Sequence, residues 1–399
     1  MLRRDTFALT VLLAGLSAVG PLTTDMYLPS LPDIVHLLGA TTAQGQLTIS
    51  SYLAGFAVGQ ILYGPLSDWH GRKPVLIGAI SLYCLASLIC ALASSMPMLI
   101  AARALQALGG CGGAVLARAV VRDLYSGVRA GRELSVISSV MALAPVVAPT
   151  IGGVLQTAFG WRSVFFTLAA AGLTIGAVAW MLLPETLEAR VGERASLGGM
   201  LKSYRIVARS RVYFAYLGLA TACYAGLFAW ISAAPFVLQD LYRLAPLAFG
   251  LIFTLGSIGY GIGATLAARI VTHLGIDRTI GLGSVALAAG GLGMVAALAL
   301  HLTSPFSLVL PMALYLAGMG MVLPQSMAGA MTPFPERAGT ASALLGFVQQ
   351  SVASATGAVV GQLLGQSAWP LAGAVATAGC VTLLLWIATR VLRARAAMH

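Results

Sequence analysis

Charge is what this chain has least of. Of its 399 residues, 9% are Asp, Glu, Lys or Arg, while 59% are hydrophobic. A soluble domain carries charge on about a quarter of its residues. That excludes a water-soluble globular protein and implies a polytopic membrane protein. Cysteine is scarce too. Cys84, Cys90, Cys111, Cys223 and Cys380 stand apart in apolar segments, with no CxxC pair and no Cys/His cluster, so neither a disulfide framework nor a metal site is expected. No nucleophile–base set, metal-ligand spacing or phosphate loop appears in the apolar segments or the inner loops. The chain is therefore not expected to be an enzyme or to need a cofactor. No small-residue cleavage site follows the first apolar run, which reads as a retained span.

What the chain does have is apolar runs of spanning length, about 20 residues each. Twelve can be counted, with cores at 7–27, 44–64, 74–94, 98–119, 134–156, 162–183, 212–234, 247–268, 279–300, 306–327, 340–363 and 370–390. The net charge of +11 would suit a nucleic-acid binder, but its placement argues otherwise. Basic residues gather in alternate loops: Arg3 and Arg4, Arg72 and Lys73, Arg122, Arg129 and Arg132, then Arg190, Arg194, Lys202, Arg205, Arg209 and Arg211. Arg269, Arg278, Arg337, Arg390, Arg393 and Arg395 continue the series, while the opposite loops offer only Arg162 and Arg243. This is the positive-inside asymmetry. It predicts both termini in the cytoplasm, a bilayer and not nucleic acid as partner, and a monomer.

The longest polar stretch, 184–211, divides the chain into an N-terminal set of six spans (1–183) and a C-terminal set (212–399). Met200, Leu201, Tyr204 and Val207 suit a short amphipathic helix on the membrane surface; a plain tether is the other reading.

An acid in the first span draws attention. Asp25 ends an apolar run that begins near Phe7, roughly 27 Å along a helix. A carboxylate in hydrocarbon is costly and marks a functional site by default. Arg103, about 8 Å into span four from Met98, can share its level in the bilayer. The expectation is that Asp25 and Arg103 lie close together, or are linked through Gln106 or water. In the second half, no acid falls within an apolar core: Asp240, Asp277 and Glu336 lie in loops.

Several strings resemble known motifs. Gly64-Pro65-Leu66-Ser67-Asp68-Trp69-His70-Gly71-Arg72-Lys73-Pro74, after span two, resembles the signature loop of the major facilitator superfamily. Gly64 and Gly71 are expected to permit a tight turn. The resemblance implies that Asp68 and Arg72 lock the outward-facing state, with Asp123 as the partner of Arg72. Arg103-Ala104-Leu105-Gln106-Ala107 resembles the RxxQG motif of proton-coupled members, with Ala107 in place of Gly. Ala144–Gly153 in span five resembles the antiporter motif, with Pro145, Pro149, Gly152 and Gly153 present and Ala148 in place of a glycine. Around 268–278, Arg269, Gly275 and Arg278 look like a degraded second copy of the signature loop.

Together with TTDMYLPSLP (23–32), RDLY (122–125), PETL (184–187), SAAPFVL (232–238) and AGTASALLG (338–346), these strings are similar to the Bcr/CflA group of twelve-span drug:proton antiporters. The resemblance implies an all-α membrane protein of the major facilitator fold, with twelve transmembrane helices in two pseudo-symmetric six-helix bundles around a central cavity. It implies export of small lipophilic antibiotics across the bacterial inner membrane, driven by the proton gradient, with Asp25 as proton site and Arg103 and Gln106 as its coupling partners. Ser17 stands where some relatives have a second acid, which points to one protonatable site. A proton-coupled permease for an endogenous small solute would use the same residues. Tyr27, Tyr52 and Met141 in the first half are substrate-binding candidates. Tyr224, Phe228, Trp230, Tyr260, Gln349 and Gln350 are candidates in the second, since aromatic and adaptable walls suit varied lipophilic ligands.

Overall fold

Chain crossing hydrocarbon must satisfy its backbone internally, and helices do so within one segment. The computed structural model describes residues 7–125, 127–187, 197–334, 337–365 and 367–396, which contain helices and no strand. Arg3, Arg4, Arg190, Arg194 and Glu336 lie outside the described residues, as do the side chains of Met200, Leu201 and Arg395. Each of the twelve expected spans falls on a helix. The chain forms two compact units, Met1–Leu197 and Gly198–His399.

The first unit contains α1 (Phe7–Asp25), a short α2 (Leu31–Leu37), α3 (Thr42–His70), α4 (Arg72–Ala91), α5 (Met96–Leu124), α6 (Gly127–Phe159) and α7 (Arg162–Leu182). Thr41 opens α3 with a reciprocal cap: its hydroxyl accepts from the Gln44 N–H, and the Gln44 side chain accepts from its own N–H. That satisfies two of the donors a helix start leaves unpaired. α1 packs on α5 and α6, and α4 packs on α5 and α7. Small residues set these distances, as they do where helices pack in lipid. A Cβ at Gly113 on α5 would come within 2.6 Å of the Leu16 carbonyl oxygen on α1, and one at Gly152 on α6 would overlap the Met26 carbonyl oxygen. The helix α6 runs unbroken through Pro145 and Pro149.

The second unit contains α8 (Leu197–Val207), α9 (Arg211–Phe236), α10 (Pro246–Ala299), α11 (Phe306–Met331), α12 (Ala338–Leu363), α13 (Trp369–Ala388) and α14 (Arg390–Ala396). α8 is the short helix envisaged in the 184–211 stretch, with Val207 buried and Lys202 and Arg205 exposed. The 54 residues of α10 are two spans joined at Gly275, whose φ of 75° and ψ of 169° are not helical. Gly71 joins α3 to α4 in the same manner, with φ 93°. The degraded second copy of the signature loop thus keeps the backbone feature of the first: a single glycine in a region L side chains rarely adopt.

Large apolar side chains such as Phe159, Trp180, Leu363 and Leu384 are exposed on helix faces. In water, patches of this kind mark a contact surface; on helices of spanning length that contact is with lipid.

Candidate functional site

α1 stops at Asp25 because the next residues cannot continue it. Met26 and Tyr27 turn into a 3-10 turn at Leu28–Ser30, and Pro29 and Pro32 lack the N–H a helix interior needs. Asp25 is 4% exposed. Among the described residues its carboxyl group has no hydrogen-bond or ion-pair partner.

Arg103 on α5 is fully buried. Its Nη1 donates to Gln106 Oε1 at 2.7 Å and, at 3.4 Å, to the carbonyl of Thr23, two residues before Asp25. The guanidinium carbon lies 4.6 Å from the centroid of the Tyr27 ring and 4.4 Å from that of Tyr52. Ring faces are electron-rich and attract a cation. The network then returns to α1. Gln106 Nε2 donates to Ser87 Oγ at 2.8 Å, Ser87 donates to the Tyr83 carbonyl, and the Tyr83 and Thr23 hydroxyls lie 2.7 Å apart. Of the arrangements expected from the sequence, a direct Asp25–Arg103 ion pair is not the one formed, and Gln106 is bonded to Arg103 but not to Asp25. Aromatic faces take the place of the carboxylate around the cation. Nε and Nη2 of Arg103 have no partner, so Arg103 has donors to spare, while Asp25, two residues past the Thr23 carbonyl to which Arg103 donates, has acceptors to spare.

Tyr27 and Tyr52 are corrected as substrate contacts. Both are buried under Arg103; the Tyr27 hydroxyl meets Thr48 at 2.7 Å, and the Tyr52 hydroxyl donates to the Gly20 carbonyl at 3.2 Å. Of the antiporter-motif residues, Pro149, Gly152 and Gly153 are buried. Gly152 puts α6 directly against the backbone that follows Asp25. Met141 on α6 and Pro145 are half-buried.

At the other end of the unit Arg72 is clasped from three sides. Its Nε donates to Asp123 Oδ2 at 2.8 Å, and its Nη1 donates to Asp68 Oδ1 at 2.5 Å and Ser67 Oγ at 2.6 Å. Glu185, after α7, completes the cluster in a way sequence spacing could not show. Its carboxylate accepts the backbone N–H groups of Arg72, Lys73, Thr186 and Leu187 at 2.9–3.0 Å, capping the first turn of α4. Partial burial pushes its pKa up, but these four bonds outweigh it and hold the carboxyl below the ordinary glutamate value. A Cβ at Gly71 would come 2.7 Å from Glu185 Oε2 and displace that carboxylate, while the positive φ is what makes glycine necessary there. Gly64 is a correction: it lies inside α3, with open space where a Cβ would be, and shapes no turn. Its carbonyl accepts from Ser67 Oγ at 2.9 Å.

In the second unit Tyr224 and Phe228 on α9 meet with centroids 4.8 Å apart and ring planes tilted by 50°. Gln349 on α12 is buried and donates to the Ala220 carbonyl, while Gln350 donates to the Tyr224 hydroxyl. Trp230 is buried and stacked on Phe253 at 6.1 Å, inside its own unit. Asp277 pairs with the buried Arg393 of α14 at 2.8 Å.

The Major Facilitator Superfamily model matches residues 13–358. The chain belongs to this superfamily. It is a multi-pass membrane transporter and not an enzyme. Among its relatives, it is 32% identical to the chloramphenicol resistance protein of Pseudomonas aeruginosa, over 98% of this chain and 92% of that one. It is 30% identical to multidrug resistance protein D of Escherichia coli over 97% of each, and 28% identical to the bicyclomycin resistance protein homolog of Haemophilus influenzae over 92% of each. The xylose transporter of Escherichia coli, in a partially occluded inward-open conformation, shares the fold at a TM-score of 0.76 and 14% identity over 96% of each chain.

Proposed function

We propose that this transporter is a proton-coupled antiporter exporting small lipophilic antibiotics across the bacterial inner membrane by alternating access, with both termini in the cytoplasm. The observation that carries the coupling is the lone buried carboxyl of Asp25, two residues past the carbonyl to which Arg103 donates. A buried carboxylate without a partner is costly, and protonation removes that cost. A deprotonated Asp25 would find its partner in the spare donors of Arg103, which Gln106 holds. Taking and losing the proton would thus change how α1 is tied to α5. The Arg72–Asp68–Asp123 cluster acts as the lock of the outward-facing state. The relatives' names, which speak of resistance to chloramphenicol, bicyclomycin and multiple drugs, support the substrate class. The test is drug-driven proton release from proteoliposomes under an imposed pH gradient, wild type against Asp25→Asn. Loss of release with normal protein incorporation is expected; undiminished release removes Asp25 from the coupling.

A further inference from the structure

A hydroxyl in a membrane helix normally satisfies itself by bonding the carbonyl four residues back. In the second unit Thr265, Thr356 and Thr382 do so, each at 2.8 Å. Thr221 on α9 does not: it is 8% exposed, and its Oγ1 has no partner. Thr221, Tyr224 and Phe228 are spaced i, i+3 and i+7, so they share one face of α9. Across from that face, on α12, which packs against α9, stands Gln350. Its Nε2 donates to the Tyr224 hydroxyl at 3.4 Å, and its Oε1 is buried without a partner. Whichever way the amide is turned, one polar end is left over. Unpaired buried polar groups cost stability, and an apolar side chain would avoid the cost at either position.

We propose that Thr221, Tyr224, Phe228 and Gln350 form a binding subsite for an uncharged ligand that presents a hydroxyl beside a flat apolar group. The inference rests on the transporter reading above and deepens it to a class of substrate. A hydroxyl both gives and accepts a hydrogen bond, so it satisfies Gln350 in either orientation and Thr221 as well. The Tyr224 and Phe228 rings, tilted by 50° to one another, offer aromatic faces for the flat apolar group. The absence of counter-charge selects an uncharged ligand: α9 beyond Arg211 and the whole of α12 contain no charged residue.

The test uses the purified full chain with two probes: chloramphenicol, which is uncharged and carries hydroxyls on a chain beside an aromatic ring, and tetraphenylphosphonium, a permanent aromatic cation without a hydroxyl. Binding is measured by equilibrium dialysis and stability by thermal unfolding without ligand. Wild type is expected to bind chloramphenicol. Thr221→Val and Gln350→Leu are each expected to weaken that binding by about 2- to 10-fold, the worth of one neutral hydrogen bond. Their ligand-free melting temperatures are expected to stay level or rise, because a buried unpaired group has been removed. A purely structural role predicts the reverse: lowered melting temperatures with chloramphenicol affinity unchanged. That result overturns the proposal, as does binding of tetraphenylphosphonium alone or of neither probe. If both substitutions weaken chloramphenicol binding while wild type moves no drug in proteoliposomes, the subsite stands and the export reading fails.

Discussion

Replacing Arg103 with methionine separates what the guanidinium does for folding from what it does for coupling. Its two nearest ring contacts, at 4.6 and 4.4 Å, are worth about 2 kcal/mol each in a dry setting. The 2.7 Å bond to Gln106 adds about 1.5–3 kcal/mol. Against these stands the cost of burying a cation, several kcal/mol, raised further by two donors with no partner. The opposing contributions are similar in size. Methionine is long and unbranched and fills the space with little strain. The main penalty left is the Gln106 carbonyl, which loses its donor at a cost of about 1–3 kcal/mol. For a unit the size of Met1–Leu197, 1 kcal/mol moves a melting temperature by about 2–4 °C, so Arg103→Met should melt no more than about 12 °C low. Adding Gln106→Leu removes the orphaned carbonyl, and the double variant should melt at or above the single one. Unfolding can be followed with a thiol-reactive dye, since Cys84, Cys90 and Cys111 of this unit are buried. Both variants should lose drug-driven proton release. A double variant that melts well below the single, or intact proton release in either, would refute this account of Arg103.

Glu185→Gln should lower the melting temperature at neutral pH and flatten its pH dependence. The Glu185 pKa is lowered from its ordinary 4.5, so its contribution is complete above that value and is lost as pH falls through the lower folded value. Parallel melting curves for wild type and variant between pH 7 and pH 4 would count against the cap. Gly152→Val should push α6 off α1, because even a Cβ overlaps the Met26 carbonyl oxygen. Overpacking of this kind costs about 1–3 kcal/mol and should reduce transport more than it reduces expression. Transport at the wild-type rate would show that the close approach beside Asp25 is not needed.

How much was legible depends on how far apart the partners lie in the chain. Asp68 and Arg72 are four residues apart on either side of the break at Gly71, so the shortness of the connection alone keeps them within reach. Glu185 lies 113 residues from Arg72; PETL stands out as a string, but nothing local says that its acid closes over the start of α4. Glycine in a loop string suggests a turn at Gly64 as well, whereas the turn needs only the one residue with positive φ, Gly71. An aromatic in a span has no sign of its own, so the sequence leaves Tyr27 and Tyr52 as candidate cavity walls. Only the neighbouring Arg103 shows which way their faces are used.

The sequence by itself determined the twelve spans, their alternating charge and the presence of one acid at the far end of the first of them. Those properties follow from transfer of side chains between water and hydrocarbon, which each segment undergoes alone. The tertiary structure decided the company each polar group keeps: rings and not a carboxylate around Arg103, four backbone N–H groups on Glu185, nothing on Thr221. Helical periodicity specifies the face and depth of a side chain. Which helix lies opposite is set by the close approach of small residues over a whole interface, and no single residue in the sequence encodes it.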